Sequence, residues 1–249
     1  MNATYLLAAG TAVALVWAIW GLNPLAGTVN PQALLKTGYM DMETGVVRNP
    51  DGSAVVQVLT RMPGVKADMV RWWFCDYMQT TEHYKMWHPE AHVWMDWENK
   101  APGEIVGASH LVHEYIGGEL DKLRITFIDP VGLFGSDPNT EDRFVICALP
   151  GPLDEPVRFG RMTHIVRDTS WGAEMRSCFW LGEISSEHDR SLQRALVNLV
   201  GNTNVSRRLV LKKEKAAGLM QHCIEEMGTL SDFLPQLYYR ETGKKPTEE

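Results

Sequence analysis

Hydrophobic and polar residues alternate through much of the middle of the chain, which is the pattern of half-buried strands. Together with the enrichment in valine, isoleucine and aromatic residues, it predicts strands at 54–59, 91–97, 105–115, 119–128, 143–149, 157–167 and 173–184. Short clusters of proline, glycine, asparagine and aspartate separate several of these segments and predict turns. The spacing of the segments therefore predicts an antiparallel meander.

Apolar residues recur at helical spacing on both sides of this strand region. They predict one helix at 65–78 and two C-terminal helices at 190–200 and 204–227, the last ended by Gly228. A helix, a long antiparallel sheet and a long C-terminal helix make an α+β pattern. A curved sheet that grips a helix leaves a cavity between the two, which is the usual place for a small-molecule site.

The N-terminal segment differs from the rest of the chain. Residues 5–22 carry no charge, and the first charged side chain is Lys36. The run is at the lower length limit for crossing a bilayer, and no basic residue precedes it as in a cleaved secretory signal. We expect residues 1–35 to form a hydrophobic leader, either a membrane anchor or a helix packed on the protein, and residues 36–249 to form one domain. An anchor would place an otherwise cytoplasmic protein at a membrane.

Charge and cysteine content exclude two classes of function. The 249 residues carry a formal net charge of −7, which argues against nucleic acid as the main partner. The 4 cysteines are widely spaced and form no CxxC pair, which argues against a disulfide scaffold or a cysteine zinc knuckle.

One candidate for chemistry lies on the last predicted helix. His222 and Glu226 are one helical turn apart, so an imidazole and a carboxylate on one face can reach the same cation. The alternative reading of this pair is a hydrogen bond on the helix surface.

Two further candidates lie near predicted strand ends. His88 precedes Pro89 at the mouth of a predicted strand, and Glu119 follows the Gly117-Gly118 turn. Neutral imidazoles with hard carboxylate oxygens suit zinc, and less specifically iron or manganese. The other histidine and acid candidates stay open: His92 as a core or supporting residue, and Glu114 or His113 as competing ligands.

Three segments carry a resemblance to a known family. The strings YKMWHPEAH, HIVRDTSWGAEMRSCFWLG and QHCIEEM resemble the diacetylphloroglucinol hydrolase and phloretin hydrolase family. The resemblance implies a Bet v 1-like helix-grip fold and a zinc-dependent hydrolase that cleaves the carbon–carbon bond between an acyl group and a phenolic ring. By the spacing of the family motif, it also implies a zinc site formed by His88, Glu119, His222 and Glu226.

The same resemblance implies roles in catalysis. His164 matches a histidine near the substrate carbonyl, which would act as an acid, a base or an oxyanion donor. Glu226 could serve as the base if it releases the metal, and Tyr84 is a candidate for binding a phenolic, small aromatic ketone substrate. Phe179 stands where a substrate-facing tyrosine is expected.

Two other functions stay open from the sequence. One is a helix-grip protein that binds a hydrophobic ligand without chemistry, and the other is a metal-dependent enzyme that acts on another polyketide. Metal content separates the first of these from an enzyme of the resembled family, because a carrier needs no metal.

Overall fold

Eight antiparallel strands form one sheet in the part of the chain that the computed structural model describes, residues 29–187 and 191–244. Their order across the sheet is β1-β2-β8-β7-β6-β5-β4-β3, so the predicted antiparallel meander and the α+β class are confirmed. The strands are β1 (Gly45–Arg48), β2 (Ala54–Pro63), β3 (His92–Glu98), β4 (Ser109–Ile116), β5 (Glu119–Ile128), β6 (Arg143–Pro152), β7 (Val157–Thr169) and β8 (Gly172–Ser186).

The helices precede, interrupt and follow the strands. They are α1 (Pro31–Leu34), α2 (Ala67–Trp72), α3 (Thr81–Trp87), α4 (Val131–Phe134), α5 (Ser191–Gly201), α6 (Asn204–Val210) and α7 (Lys213–Thr242), and a π-helical turn (Trp73–Tyr77) extends α2. The sheet wraps around α7, which packs most extensively against β2, and this arrangement is the expected helix grip.

The last helix is longer than its sequence suggests. The prediction that Gly228 ends it is wrong, because α7 continues to Thr242 and is terminated by Gly243 in the left-handed conformation, with φ at 68°. Beyond Gly228, Leu230 and Leu234 are completely buried. Burying each of them contributes about 1.5–3 kcal/mol, which outweighs the cost of about 1 kcal/mol for a glycine inside a helix.

Both faces of the central strands are buried because successive residues point to opposite sides. On β8, Phe179 and Leu181 join the core around α7, whereas Cys178 and Trp180 join a second core on the outer face. Leu34 from α1 packs into this outer core.

The segment just after the predicted leader is fastened to the sheet. The buried Arg176 guanidinium on β8 donates to the carbonyl oxygens of Leu34 and Lys36 and pairs with Glu43 at 2.6 Å. Residues 29–35, which the sequence analysis places with the leader, therefore contact the domain. The boundary after residue 35 stays a prediction.

The hydrophobic run at 5–22 lies outside the described residues. None of the helices that the structure describes is long and apolar enough to span a membrane. The predicted anchor and the predicted membrane location thus stay predictions.

A large cavity separates α7 from the inner face of the sheet. Its volume is about 770 Å³, within the usual range for small-molecule sites. Most of its wall is apolar, with Leu123, Phe127, Met162, Phe179 and Leu219 among the lining residues.

Candidate active site

The helix brings His222 and Glu226 together as its periodicity requires. His222 Nε2 lies 3.7 Å from Glu226 Oε2, one turn further along α7. Both side chains are buried, and both line the cavity. The face of α7 that packs on the sheet thus carries a histidine and an acid among apolar neighbours.

Two strand residues complete this group. His92 is the first residue of β3 and pairs in register with Glu114 on β4. His92 Nε2 lies 3.7 Å from Glu114 Oε2 and 3.6 Å from Glu226 Oε2, and His222 Nε2 lies 3.7 Å from Glu114 Oε2. We call His92, Glu114, His222 and Glu226 the inner cluster.

Hydrogen bonds fix how His92 faces its neighbours. Its Nδ1 lies 2.8 Å from the Tyr84 carbonyl oxygen, which can only accept, so Nδ1 carries the proton. A neutral His92 then presents the lone pair of Nε2 to the two carboxylates, and Nε2 has no hydrogen-bond partner. Metal-ligating histidines commonly donate their other nitrogen to a backbone carbonyl in this way.

The second histidine of the cluster is in a similar state. His222 Nε2 is buried without a hydrogen-bond partner, and the Tyr115 backbone hydrogen-bonds to the same imidazole. Tyr84 supports the acids: its hydroxyl donates to Glu114, and its ring stacks on His92 with centroids 3.6 Å apart. Two unsatisfied imidazole nitrogens therefore face two carboxyls.

Burial dominates the electrostatics of the inner cluster. Desolvation raises the pKa of Glu226 to about 8 and raises the pKa of Glu114. It lowers the pKa of His92 to about 4 and also lowers the pKa of His222. Burial thus disfavours every charge in the cluster, and a cation among the four groups would stabilise the carboxylates and satisfy the nitrogens.

The donor set fits a divalent metal. Ligand atoms of His92, His222 and Glu226 lie within 4.8 Å of one another, so these three residues could hold a metal ion. Glu114 adds a second carboxylate at the distances given above. Two imidazoles and two carboxylates match the nitrogen and oxygen preferences of zinc, iron and manganese.

The structure does not bring His88 into this group. His88 forms the C-cap of α3, and its Nε2 lies 3.3 Å from Glu225 Oε2. Its ring is still near, with its centroid 5.1 Å from that of His222. Its centroid is also 5.5 Å from that of His92, and His88 shares with His222 the lining of a smaller cavity of about 310 Å³.

Glu119 also lies apart from the inner cluster. It is the first residue of β5, its side chain is 72% exposed, and it lies 3.8 Å from Lys215 Nζ. Residues that face each other in register share one side of the sheet, so Glu119 follows Ile116 to the inner side but stands at the rim. We call His88–Glu225 and Glu119–Lys215 the rim pairs.

Two members of the inner cluster are not among the four ligands that the resemblance implies. From the sequence, His92 is expected to be a core or supporting residue, and Glu114 is a competing ligand. The signal that identifies Glu114 is strand parity: His110, Val112, Glu114 and Ile116 are buried, whereas His113 is partly exposed. The sequence of this strand does not show that alternation, because the polar His110 and Glu114 are on the buried face and the apolar Leu111 and Tyr115 are on the other.

His164 and Tyr84, the two residues expected to bind substrate, both line the large cavity, and so does Phe179. His164 on β7 is buried, and its Nδ1 lies 2.7 Å from Ser177 Oγ. Burial lowers the pKa of His164 to about 4, so it is neutral at neutral pH. Phe179 packs edge-on against His164 with ring centroids 5.7 Å apart, and it offers this site no hydroxyl group.

Fold and site together define the class: an α+β helix-grip protein with a buried histidine–carboxylate cluster on its cavity wall. The chain belongs to the DAPG hydrolase PhiG domain family, whose model matches residues 27–239. The resemblance inferred from the three sequence segments is thereby confirmed.

Two curated relatives show 28% identity to this chain. One is 2,4-diacetylphloroglucinol hydrolase from Pseudomonas protegens, aligned over 89% of this chain and 75% of the relative. The other is phloretin hydrolase from Eubacterium ramulus, aligned over 82% of this chain and 73% of the relative. Among solved structures, Ara h 8.0201 aligns over 74% of this chain and 99% of its own, with a TM-score of 0.44 and 9% identity.

Proposed function

We propose that this protein is a metal-dependent hydrolase that cleaves the carbon–carbon bond between an acyl group and a phenolic ring. The inner cluster is the observation that carries the proposal: two unpartnered imidazole nitrogens face two buried carboxyls, and His222, Glu114 and Glu226 line an apolar cavity. Membership of the family, with relatives named as hydrolases of acylated phenols, supports the reaction type.

The substrate is a small aromatic ketone. The cavity volume of about 770 Å³ accommodates a substituted ring together with its acyl group. Apolar residues such as Leu123, Met162 and Leu181 line much of the cavity. Such a wall stabilises the hydrocarbon parts of a ligand and disfavours hydroxyl groups that find no hydrogen-bond partner.

Zinc is the metal that we assign to the site, with His92, Glu114, His222 and Glu226 as its ligands. This assignment replaces His88 and Glu119 with His92 and Glu114. When bound, zinc supplies Lewis acidity toward a carbonyl and lowers the pKa of water.

The protein's own residues hold these ligands in place. Tyr84 acts on two of them, through its hydroxyl to Glu114 and through its carbonyl oxygen to His92. We therefore assign Tyr84 to positioning the ligands in addition to lining the substrate cavity. The apolar residues around the cluster exclude bulk water, which strengthens electrostatic interactions inside it.

His164 serves as a hydrogen-bond donor to the substrate carbonyl in this proposal. With its pKa lowered to about 4, only about one molecule in a thousand carries imidazolium at pH 7. A neutral N–H that stabilises negative charge on oxygen is therefore favoured over proton transfer from His164.

The reaction balances as a hydrolysis. The oxygen of water bonds to the acyl carbon, and the bond from this carbon to the ring breaks. The ring carbon keeps the electron pair and takes a proton, which yields a carboxylic acid and a deacylated phenol. A phenolic ring accepts the pair because its keto tautomer delocalises the charge onto oxygen.

Product analysis tests the proposal. Purified protein is expected to contain about one zinc per chain and to convert 2,4-diacetylphloroglucinol or phloretin into a ring and a carboxylic acid. In ¹⁸O-labelled water, the label is expected in the new carboxyl group. Zinc-loaded protein that binds a panel of acylated phenols but cleaves none would favour a ligand-binding protein, which the apolar cavity also allows. Cleavage of some other polyketide ketone instead would keep the metal site and change the substrate.

A further inference from the structure

The two helices that follow the sheet turn their apolar residues toward solvent. A surface helix of a globular protein usually faces the core with its apolar side. In α5, all of which the structure describes, no side chain is buried, and Leu192, Leu196 and Leu199 are 72%, 52% and 46% exposed at helical spacing. We call the exposed apolar residues of α5 and α6 the apolar stripe: Leu192, Leu196, Leu199, Val200, Val205, Leu209 and Val210.

Polar side chains fix this orientation of α5. Asn198 Oδ1 accepts from the Ser186 N–H at 2.7 Å, and Asn202, just after the helix, accepts through Oδ1 from the Ile184 N–H at 3.0 Å. The Asn202 amide also donates to the Ile184 carbonyl oxygen at 2.7 Å. Rolling α5 to bury its leucines would break these bonds and leave backbone groups of β8 unpaired, so the outward direction of the apolar stripe is built into the fold.

The charges beside the apolar stripe are mostly basic. In residues 191–214, all of which are described, the exposed charged side chains are four basic and one acidic: Arg194, Arg208, Lys212, Lys213 and Glu214. The whole chain, in contrast, has a net charge of −7. Leucines with arginine and lysine beside them are what amphipathic helices present to a membrane surface. Both the apolar and the charged part of this surface therefore fit a bilayer that contains anionic lipids.

A second copy of this chain fits the same surface less well. A dimer with twofold symmetry brings one patch of each copy against its counterpart. Arg208, Lys212 and Lys213 would then approach their own equivalents, and like charges across an interface are unfavourable. An anionic bilayer attracts these residues instead.

The apolar stripe ends at an opening of the large cavity. Val210 is 72% exposed and also lines the cavity, together with its neighbours Leu211 and Lys212. A side chain that is open both to solvent and to the cavity marks the place where the two meet. A bilayer bound through the apolar stripe would therefore adjoin this opening, and an apolar ligand dissolved in the bilayer would enter the cavity without crossing bulk water.

We propose that the apolar stripe and the basic residues beside it bind the surface of anionic membranes, with the cavity opening next to the bilayer. The two helices have 11 and 7 residues, so they lie in the headgroup region and do not span the bilayer. This docking needs neither the metal nor the reaction, and it goes beyond the proposed function.

A fluorescent probe on α5 tests the docking in the full chain. Leu196→Cys is labelled with the environment-sensitive dye NBD, since the 4 native cysteines are buried and react slowly. Vesicles of phosphatidylglycerol mixed with phosphatidylcholine are expected to shift the emission to the blue, and phosphatidylcholine vesicles alone to do so much less. Val106→Cys is the matched control, because Val106 is 50% exposed but lies in the turn before β4; it is expected not to respond. The readout is local because residues 5–22 are themselves a predicted anchor.

Charge removal gives an independent reading. In labelled Leu196→Cys, we expect Arg208→Gln, Lys212→Gln and Lys213→Gln together to raise the lipid concentration for half of the blue shift by at least about tenfold. Should labelled Leu196→Cys fail to fold, Leu192→Cys carries the same comparison. The proposal is overturned if anionic vesicles give no blue shift at α5, if the control responds equally, or if charge removal changes nothing. A blue shift that appears without vesicles and grows with protein concentration would assign the apolar stripe to a second copy, and it would also overturn the proposal.

Discussion

The inner cluster and the rim pairs both contain a histidine near a glutamate, but the acids of the inner cluster are buried and those of the rim pairs are exposed. In the rim pairs, Glu119 lies 3.8 Å from Lys215 and His88 lies 3.3 Å from Glu225, with both acids largely open to solvent. In the inner cluster, His92 and His222 each keep a nitrogen without a partner, and burial raises the pKa of Glu226 to about 8.

The difference is in how far the polar groups find partners where they stand. Exposed pairs contribute about 0–1 kcal/mol each and need nothing further, because water and salt already screen their charges. Buried acids and imidazoles without full hydrogen bonding are costly unless a further group satisfies them. The unpartnered nitrogens and buried carboxyls of the inner cluster, and not its residue types, support the proposed metal site.

The largest expected effect comes from exchanging the two competing acids. We expect Glu114→Gln to weaken zinc binding more than about 100-fold and to abolish turnover, since even an outer-shell partner is worth about 10- to 100-fold. Glu119→Gln is the matched control and is expected to leave zinc content and kcat near wild type. Zinc titration against a competing chelator measures both variants. Normal zinc affinity in Glu114→Gln would reject Glu114 as a zinc ligand and favour Glu119.

His164 is expected to matter for turnover but not for metal. His164→Ala removes a hydrogen-bond donor from the cavity wall, so we expect kcat to fall by about 10²–10³ with zinc content unchanged. His164→Gln, which retains an N–H donor, is expected to keep more activity than the alanine variant. Equal losses in both variants would argue instead for proton transfer by the imidazole.

A smaller effect is expected for Tyr84→Phe, which removes the hydroxyl that holds Glu114 and keeps the ring stacked on His92. Loss of such a supporting hydrogen bond typically weakens metal binding by about 10- to 100-fold. Tyr115→Phe removes a hydroxyl from a half-exposed side chain and serves as the control. Unchanged zinc affinity in Tyr84→Phe would remove Tyr84 from its positioning role.

The smallest expected effect is on stability at mild acidity. Burial lowers the pKa of His164 to about 4, below the value of about 6.5 in the unfolded chain. Between these values the unfolded state binds the additional proton, so the free energy of unfolding falls as the pH falls from 6.5 toward 4. We expect His164→Gln to reduce the loss between pH 7 and pH 5 by about 2 kcal/mol in urea titrations. An identical pH dependence in wild type and variant would show that His164 is not buried in its neutral form.

The parts of the site that follow from local periodicity could be predicted from the sequence. His222 and Glu226 meet because any helix places such residues on one face, and the strand alternation gave the meander. His92 and Glu114 could not be predicted in this way. Their meeting depends on the register of β3 against β4, which shifts between His92 and Trp94 at an irregularity. A shift of one residue exchanges the two faces of a strand, and the letters alone do not fix it.

The position of His88 and Glu119 outside the inner cluster has the same origin. A linear spacing that matches a family motif does not show which neighbour a side chain at a helix cap contacts, and His88 Nε2 lies 3.3 Å from Glu225 Oε2. The spacing also does not show that Glu119, at the start of a hairpin strand, is exposed and lies apart from the inner cluster.

The most direct test of the account is a crystal structure of the zinc-loaded protein with an anomalous difference map at the zinc edge. We expect one peak per chain within about 2.0–2.2 Å of His92 Nε2, His222 Nε2 and a carboxylate oxygen each of Glu114 and Glu226. A peak bonded by His88 and Glu119 instead, or no peak between the inner histidines at full zinc loading, would contradict it.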